Sequence, residues 1–550
     1  MKASKGFTPK ATRTTVLLCL LLVIALGTSL LFGGSTLEDA FITFRYARNL
    51  ADGAGVGVWN VGQPPVEGAT SFLWMLILGI GMKVGISPFL LSKVIGLGSL
   101  LGVILLFGFL SRSAARRNDE RTSRAALATA VLAALYVPLA WYSVSGMETT
   151  FFSFLVAVVV VSMIERRGTL VWVLIDSVAI VVLLLLRPEG MVFGLLLGLF
   201  KIFFSDDRDR ARFVPLAVFI LAVIGIEVFR LVQFGELLPN TYYAKASGGA
   251  AGFFFTFGVS YLRDFLRNCW PIWLALAAGG VLALRRRDWT APEVMLTLVV
   301  VIYIGYVLKV GGDPVSAFPL WRHFVHIAPV WLFLTGAAIS RLSAGDVRAV
   351  MLAAAVGLLT VAMTWMKTFT PAGSLAVQPG LAVRQADNAY FDFVNRFADN
   401  KQVAAVSLAG QWGWYVPIAT IDMLGLNDRH VAQFGTFQRD GALDSKTDMA
   451  YVMGQKPTIV DGHDSGLKLR QGRCPQNIIL GRNGVRHDML LGIFKSDDFL
   501  DNYYFVANAP YEVLDRALFV SASVADAARA TGAELVPLRK TVLNDRTCLP

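Results

Sequence analysis

Helix-length apolar runs follow one another through roughly the first two thirds of the chain, and they fix the solvent in which most of it folds. A run of about 17–25 apolar residues can cross the hydrocarbon core as a helix. In lipid each backbone polar group must be satisfied within its own segment, which leaves helices as the solution here. Such runs lie near residues 15–33, 89–110, 125–145, 150–164, 169–186, 190–204, 213–233, 270–285, 291–310, 325–341 and 349–366, about eleven in all. With 55% hydrophobic and only 16% charged residues, the composition departs from that of soluble proteins in the same sense. The chain reads as a polytopic α-helical membrane protein.

A net charge of +11 would suit a nucleic-acid binder, but the basic residues sit in short loops between apolar runs. Loops 112–124, 166–167, 206–212, 285–287 and 341–348 carry them, and all fall on one side if they are cytoplasmic. Counting the short run 71–84 as a span would push Arg112, Arg116, Arg117, Arg121 and Arg124 outside. It is therefore expected as a short helix at the outer interface or re-entering it. The basic segment 1–13 precedes a long first run with no small-residue cleavage site before Glu38, so the first span is expected to stay, with the N-terminus cytoplasmic. Outer loops are then 34–88, 146–149, 187–189, 234–269 and 311–324.

From about 367 no run is long enough to span. Short apolar stretches at 403–408, 458–460 and 517–520, punctuated by Gly, Asn, Asp and Pro, read as buried strands. The expected organisation is a transmembrane domain over 1–366 and an extracytoplasmic α/β domain over 367–550. Cys474 and Cys548 either pair there, if the compartment is oxidising, or stand as two unlinked thiols. No two matching halves are visible, which weighs against a secondary transporter.

The outer face collects carboxylates, cations, aromatics, Gly and Pro in specific runs. They are Glu38-Asp39, Val66-Glu67-Gly68, Ser145-Gly146-Met147-Glu148, Arg187-Pro188-Glu189-Gly190, Leu238-Pro239-Asn240-Thr241-Tyr242-Tyr243-Ala244-Lys245, and Gly311-Gly312-Asp313 followed by Arg322, His323 and His326. A phosphate leaving group needs Arg or Lys to stabilise its growing charge, and a hydroxyl acceptor needs a carboxylate to take its proton. No Walker or dinucleotide glycine loop is present, and Gly53-Ala54-Gly55-Val56-Gly57 reads as a turn. Plainer readings stand beside each residue: Glu38-Asp39 as acidic residues at a helix start, Arg187 snorkelling to the interface, Glu148 as a loop charge, Lys245 as a membrane-surface lysine, Asp313 as a turn residue, and His326 as a packed imidazole. What favours chemistry is that all of them fall on one side.

At these residues the chain resembles integral-membrane glycosyltransferases of the GT-C fold. The run Glu38-Asp39-Ala40-Phe41-Ile42-Thr43-Phe44-Arg45-Tyr46-Ala47-Arg48-Asn49, with the blocks above and Ile421-Asp422-Met423-Leu424-Gly425-Leu426, resembles more narrowly the group containing the terminal arabinofuranosyltransferase of actinobacterial cell-wall assembly. The resemblance runs from about residue 35 to 430. It implies a GT-C core of about eleven transmembrane helices, a polyprenyl-phosphate sugar donor, a glycan acceptor and a bacterial inner-membrane location. It also implies Asp39 as the catalytic carboxylate with Glu38 as its partner, where the group usually has two aspartates. On this reading Arg187, Lys245, Arg322 and His326 take the donor phosphate, and Arg45, Glu67, Glu148, Glu189, Asn240, Tyr243 and Asp313 contact sugar or acceptor. Trp412, Trp414 and Tyr415 offer stacking faces or form core. The histidines lack metal-ligand spacing; Glu38-Asp39 is compatible with a divalent cation. The rivals are a related transferase using a lipid-linked mannose or hexose on protein or lipopolysaccharide, and a lipid-linked sugar flippase, for which Asp176 and Glu227 are the interior charges.

Overall fold

The structure is a computed structural model describing residues 9–165, 169–205, 210–245, 251–312, 320–368, 382–384, 389–437, 446–463, 467–468, 479–480, 493, 496–510 and 516–538. Asp313, Cys474 and Cys548 lie outside the described residues.

The first helix, α1 (Pro9–Leu30), leads through a short strand β1 (Ser35–Leu37) into α2 (Glu38–Ala51), which begins at the two carboxylates. The run expected at the outer interface is α3 (Phe72–Lys83), with Trp74, Met75 and Leu78 buried. Then follow α4 (Pro88–Arg116), α5 (Glu120–Leu135), α6 (Val137–Tyr142), α7 (Thr149–Glu165), α8 (Leu170–Leu186), α9 (Gly190–Phe204), α10 (Val214–Phe234), α11 (Asn240–Lys245), α12 (Ala251–Asn268), α13 (Trp270–Arg286), α14 (Ala291–Val310), α15 (Arg322–His326), α16 (Ala328–Leu342) and α17 (Asp346–Thr368).

Each apolar run is helical, but the count of about eleven spans is not met by length. Among the described residues five helices are long and apolar enough to cross a membrane, or six if the pair Phe255–Asn268 and Trp270–Arg286, bent by 83°, is one span. The helices α7, α8, α9 and α16 have 15–17 residues. At 1.5 Å per residue that is about 22–26 Å, short of a hydrocarbon core of roughly 30 Å. The run 125–145 is broken after Leu135, where Pro138 starts the separate helix α6. The region 234–269, expected as a loop, holds α11 and α12. Charges interrupt the apolar pattern of α12, yet Tyr261 and Phe265, one turn apart, are buried while Arg263 and Arg267 face outward.

The C-terminal region is a sheet with helices on both faces. Strand β2 (Ala382–Arg384) pairs antiparallel with β1. After α18 (Ala389–Asn395) come β3 (Val403–Val406), α19 (Ala409–Tyr415), β4 (Ala419–Asp422), α20 (Arg429–Phe434), α21 (Met449–Gly454) and β5 (Ile459–His463). A hairpin β6 (Leu467–Lys468) and β7 (Ile479–Leu480) is followed by α22 (Asp497–Asn502), β8 (Tyr503–Val506), β9 (Arg516–Ser521), α23 (Ala525–Ala530) and β10 (Leu535–Pro537). The six-stranded order is β10-β8-β9-β5-β3-β4, with β3 parallel to β4 and β5 and the other pairs antiparallel.

Alternate strand residues feed two cores, as a period of two requires. Ala405, Val460, Ala517 and Phe519 join Val431, Val452 and Phe499 on one face. Ala404, Val406, Ile459, Leu518 and Val520 on the other belong to the same continuous core as α2, α5, α7 and α16. The sheet and the helical bundle therefore share one hydrophobic interior.

Candidate active site

Helix α2 packs on α19, and Arg45 and Arg48 tie it to α19 and to the start of β4. Arg45 donates from Nε to Trp59 O (3.0 Å), from Nη1 to Thr420 Oγ1 (3.0 Å) and Gly413 O (3.3 Å), and from Nη2 to Asn60 Oδ1 (2.9 Å) and Ile418 O (3.0 Å). Burial lowers its pKa to about 9, still charged at neutral pH. Arg48 donates to Trp414 O and Gly413 O and lies over the Trp414 ring. Phe41 and Phe44 pack against Phe89, Tyr415 and Trp414. Trp412 is fully buried. Arg45, Trp412, Trp414 and Tyr415 thus serve this joint.

The first turn of α2 is pinned from three directions. β1 pairs with β2, and the Leu37 N–H donates to Ser145 O at 2.8 Å. Buried Glu38 accepts the Gln411 N–H at 2.9 Å from the start of α19. Gly410 lies so close that a Cβ there would meet the Glu38 carbonyl and approach its Oε1 to 2.7 Å. Asp39, one residue on, is turned about 100° round the helix from Glu38. Its side chain keeps 41% of its exposure and accepts from Arg322 Nη1 at 2.9 Å.

Arg322 opens α15, whose entry residue Trp321 has a φ of +33°, uncommon for a bulky residue. A tilted contact with Phe265, ring centroids 5.6 Å apart, holds that ring. Behind the Asp39–Arg322 pair lies a buried charged cluster. Arg187 spans Glu189 with Nε and Nη2, both at 3.1 Å, and reaches Glu148 with Nη1 at 2.6 Å. Tyr306 donates to Glu189 at 3.1 Å, and His323 Nδ1 lies 3.8 Å from the same carboxylate oxygen. Tyr303 Oη and His326 Nδ1 are 3.2 Å apart. Burial opposes ionisation of Glu189, but Arg187 and the two histidines outweigh it and hold the carboxyl well below its usual range.

Of the expected residues, the fold thus gathers Asp39, Arg322, Arg187, Glu148, Glu189 and His326, drawn from α2, the starts of α7 and α9, and α15. Others sit in a second joint. Glu67 holds Arg230 through both carboxylate oxygens, at 3.1 and 3.0 Å, and Arg230 also pairs with Glu227. Asn240 Nδ2 donates to the carbonyls of Gly425, Leu426 and Asp428. Tyr243 hydrogen-bonds Glu236. Helix α11, which ends at Lys245, packs on α20. Glu67, Asn240, Tyr243 and Lys245 therefore belong where the segment between α2 and α3 meets the C-terminal region. The interior charges are paired too: Asp176 with Lys201 at 3.0 Å, and Glu227 with Arg230.

Sequence reasoning did not name Tyr303, Tyr306, Arg230 or Lys201. The two cations each interrupt an apolar run, which was a usable signal. The tyrosines gave none, since an aromatic inside a helix is usually core. Nor did the sequence spacing reveal a metal-ligand set, yet ligand atoms of Glu189, His323 and His326 lie within 4.8 Å of one another. Among the described residues no such group forms beside Glu38.

No family model matches the chain, and no curated protein matches it in sequence. Among solved structures it is similar to ArnT from Cupriavidus metallidurans in the apo state, with a TM-score of 0.53 and 14% identity over 94% of this chain and 99% of that one. It is equally similar to ArnT bound to undecaprenyl phosphate, with a TM-score of 0.53 and 13% identity over 92% and 98%. An Archaeoglobus fulgidus oligosaccharyltransferase matches more loosely, with a TM-score of 0.46 and 11% identity over 91% and 75%. ArnT is a glycosyltransferase of the GT-C fold, and the chain shares its fold.

Proposed function

We propose that the chain is a membrane glycosyltransferase that moves a sugar from a polyprenyl-phosphate donor to an extracytoplasmic glycan acceptor. The observation that carries this reading is the Asp39–Arg322 pair at 2.9 Å, a half-exposed carboxylate on a nearly buried guanidinium. A donor phosphate would compete for Arg322, because guanidinium and phosphate oxygens match as a two-pronged pair. Losing Arg322 to the donor frees Asp39 beside the anomeric carbon. Asp39 then takes the acceptor hydroxyl proton as that oxygen bonds to the anomeric carbon. The bond from that carbon to the phosphate oxygen breaks, and the lipid phosphate leaves with the electron pair, its charge held by Arg322.

In this scheme Arg187 does not bind phosphate directly. Glu148 and Glu189 already over-neutralise it. It holds the wall from which α15 presents Arg322. The undecaprenyl phosphate in one of the similar structures is a lipid of the class we propose. The sugar is arabinofuranose, or a related pentose, on the residues shared with the terminal arabinofuranosyltransferase group. The topology we propose has eleven crossings in a bacterial inner membrane, with the N-terminus cytoplasmic and residues 367–550 outside. Pairing of Asp176 and Glu227 with cations disfavours the flippase reading, which wants interior charges available to cargo.

Purified protein incubated with synthetic farnesyl-phosphoryl arabinofuranose and a short glycan acceptor should form product. The corresponding mannose and hexose donors test the alternative. Asp39→Asn should lose about 10²–10⁴-fold in turnover with an unchanged melting temperature. Full transfer by that variant would remove Asp39 from the chemistry.

A further inference from the structure

Glu189, His323 and His326 are contributed by two elements that meet behind the Asp39–Arg322 pair, and all three are buried. Glu189 precedes α9, and the two histidines stand three residues apart on α15, a spacing that brings both imidazoles to one side. Three features distinguish this trio from a packed polar cluster. Their ligand atoms lie within 4.8 Å of one another. The Nε2 of His326 is fully buried and has no hydrogen-bond partner, while its Nδ1 meets Tyr303 Oη. An orphaned buried nitrogen is costly, and a ring whose other nitrogen is hydrogen-bonded is the usual state of a metal-ligating histidine. Third, Glu148 and Glu189 share a single cation, Arg187, and Glu148 Oε2 also lacks a hydrogen-bond partner.

We infer that Glu189, His323 and His326 form a binding site for a divalent cation of the zinc class. Two imidazoles and one carboxylate suit zinc at about 2.0–2.2 Å from each ligand atom, with a fourth position left for water. Tetrahedral ligands at that distance stand about 3.3 Å apart. The side chains therefore close in by roughly an ångström on binding, and Tyr306 yields its place on Glu189. The ion ties α15 to the start of α9 and so fixes the helix that carries Arg322. His323 and His326 are positioning residues in this sense. The site is independent of which sugar the protein handles, and metal counting does not depend on activity.

The test uses the full-length protein in detergent, stripped with a chelator, reloaded with zinc or cobalt alone and desalted. Bound metal is counted by elemental mass spectrometry. One equivalent per chain is expected, with the visible bands of low-symmetry cobalt. His323→Gln and His326→Gln should each lower affinity at least tenfold, whereas His430→Gln, whose ring pairs with Asp448 elsewhere, should retain the ion. X-ray absorption on the zinc-loaded wild type needs no variant to fold, and should show imidazole scattering from two rings. Retention of no metal, an absorption spectrum without imidazole ligands, or unchanged binding in both folded histidine variants would each overturn the site and leave an ion-paired cluster only.

Discussion

Replacing Gly410 by alanine tests whether the C-terminal region sets the position of Asp39. An added Cβ would drive into the Glu38 carbonyl oxygen and come within 2.7 Å of Glu38 Oε1 and 3.0 Å of its Cδ. The first of these is backbone in the opening turn of α2, fixed by the β1–β2 pairing and by the Leu37–Ser145 bond, so it cannot swing aside as a side-chain tip would. Either α19 or the start of α2 must shift by several tenths of an ångström or more. Overpacking of this kind costs about 1–3 kcal/mol. A displacement approaching an ångström at a reacting carboxylate costs up to about 10²-fold in rate. The assay pairs a thermal melt with turnover on the lipid-phosphate donor. We expect a lowered melting temperature together with a fall in turnover larger than the stability loss alone explains. A Gly410→Ala protein that melts and turns over like wild type would refute the clamp.

Arg187→Met should destabilise by about 3–5 kcal/mol, since it strands Glu148 and Glu189 as unpaired buried carboxylates, and should be visible as a large drop in melting temperature or yield. Acid sensitivity follows from Glu189, whose folded carboxyl is held below its ordinary value of 4.5. Its stabilisation is fully present above that value and is lost as pH falls through and below it. Melting temperatures measured down a pH series should drop on that limb, and Glu189→Gln should flatten it. Arg322→Lys should raise the donor KM and lower kcat, because a lysine offers a point charge where phosphate needs a two-pronged donor; unchanged kinetics would take Arg322 away from the phosphate.

Much of the helical scaffold was legible because lipid demands long apolar runs, and the starts of α4, α9 and α14 fall within a residue or so of where those runs begin. The number of spans was less legible, because a run of 15–17 apolar residues looks the same whether it crosses a bilayer or packs inside a bundle. Helix α12 escaped notice because Arg263, Asp264 and Arg267 break the apolar run, although Tyr261 and Phe265 keep the helical period. The cluster residues could be read as one-sided but not as partners: Asp39 and Arg322 are 283 positions apart, and no local pattern encodes that contact. Arg45 and Glu67 looked like ligands for a sugar because a charge in an outer loop gives no sign of whether its partner is substrate or protein.

Arg45 also bears on how the molecule is made. Its acceptors at Gly413, Ile418 and Thr420 follow it by 368 to 375 positions in the chain. At about 5–20 residues per second of synthesis, they emerge roughly 20–75 seconds after it. Throughout that interval the guanidinium, and the aromatic face formed by Phe41 and Phe44, must wait in water or at the lipid surface. The segment that bears Asp39 is thus among the first parts of the protein to be made and among the last to acquire its final contacts. A ribosome that stops before residue 410 leaves α2 packed on α3 but without the α19 and β4 groups that hold Arg45 and Arg48.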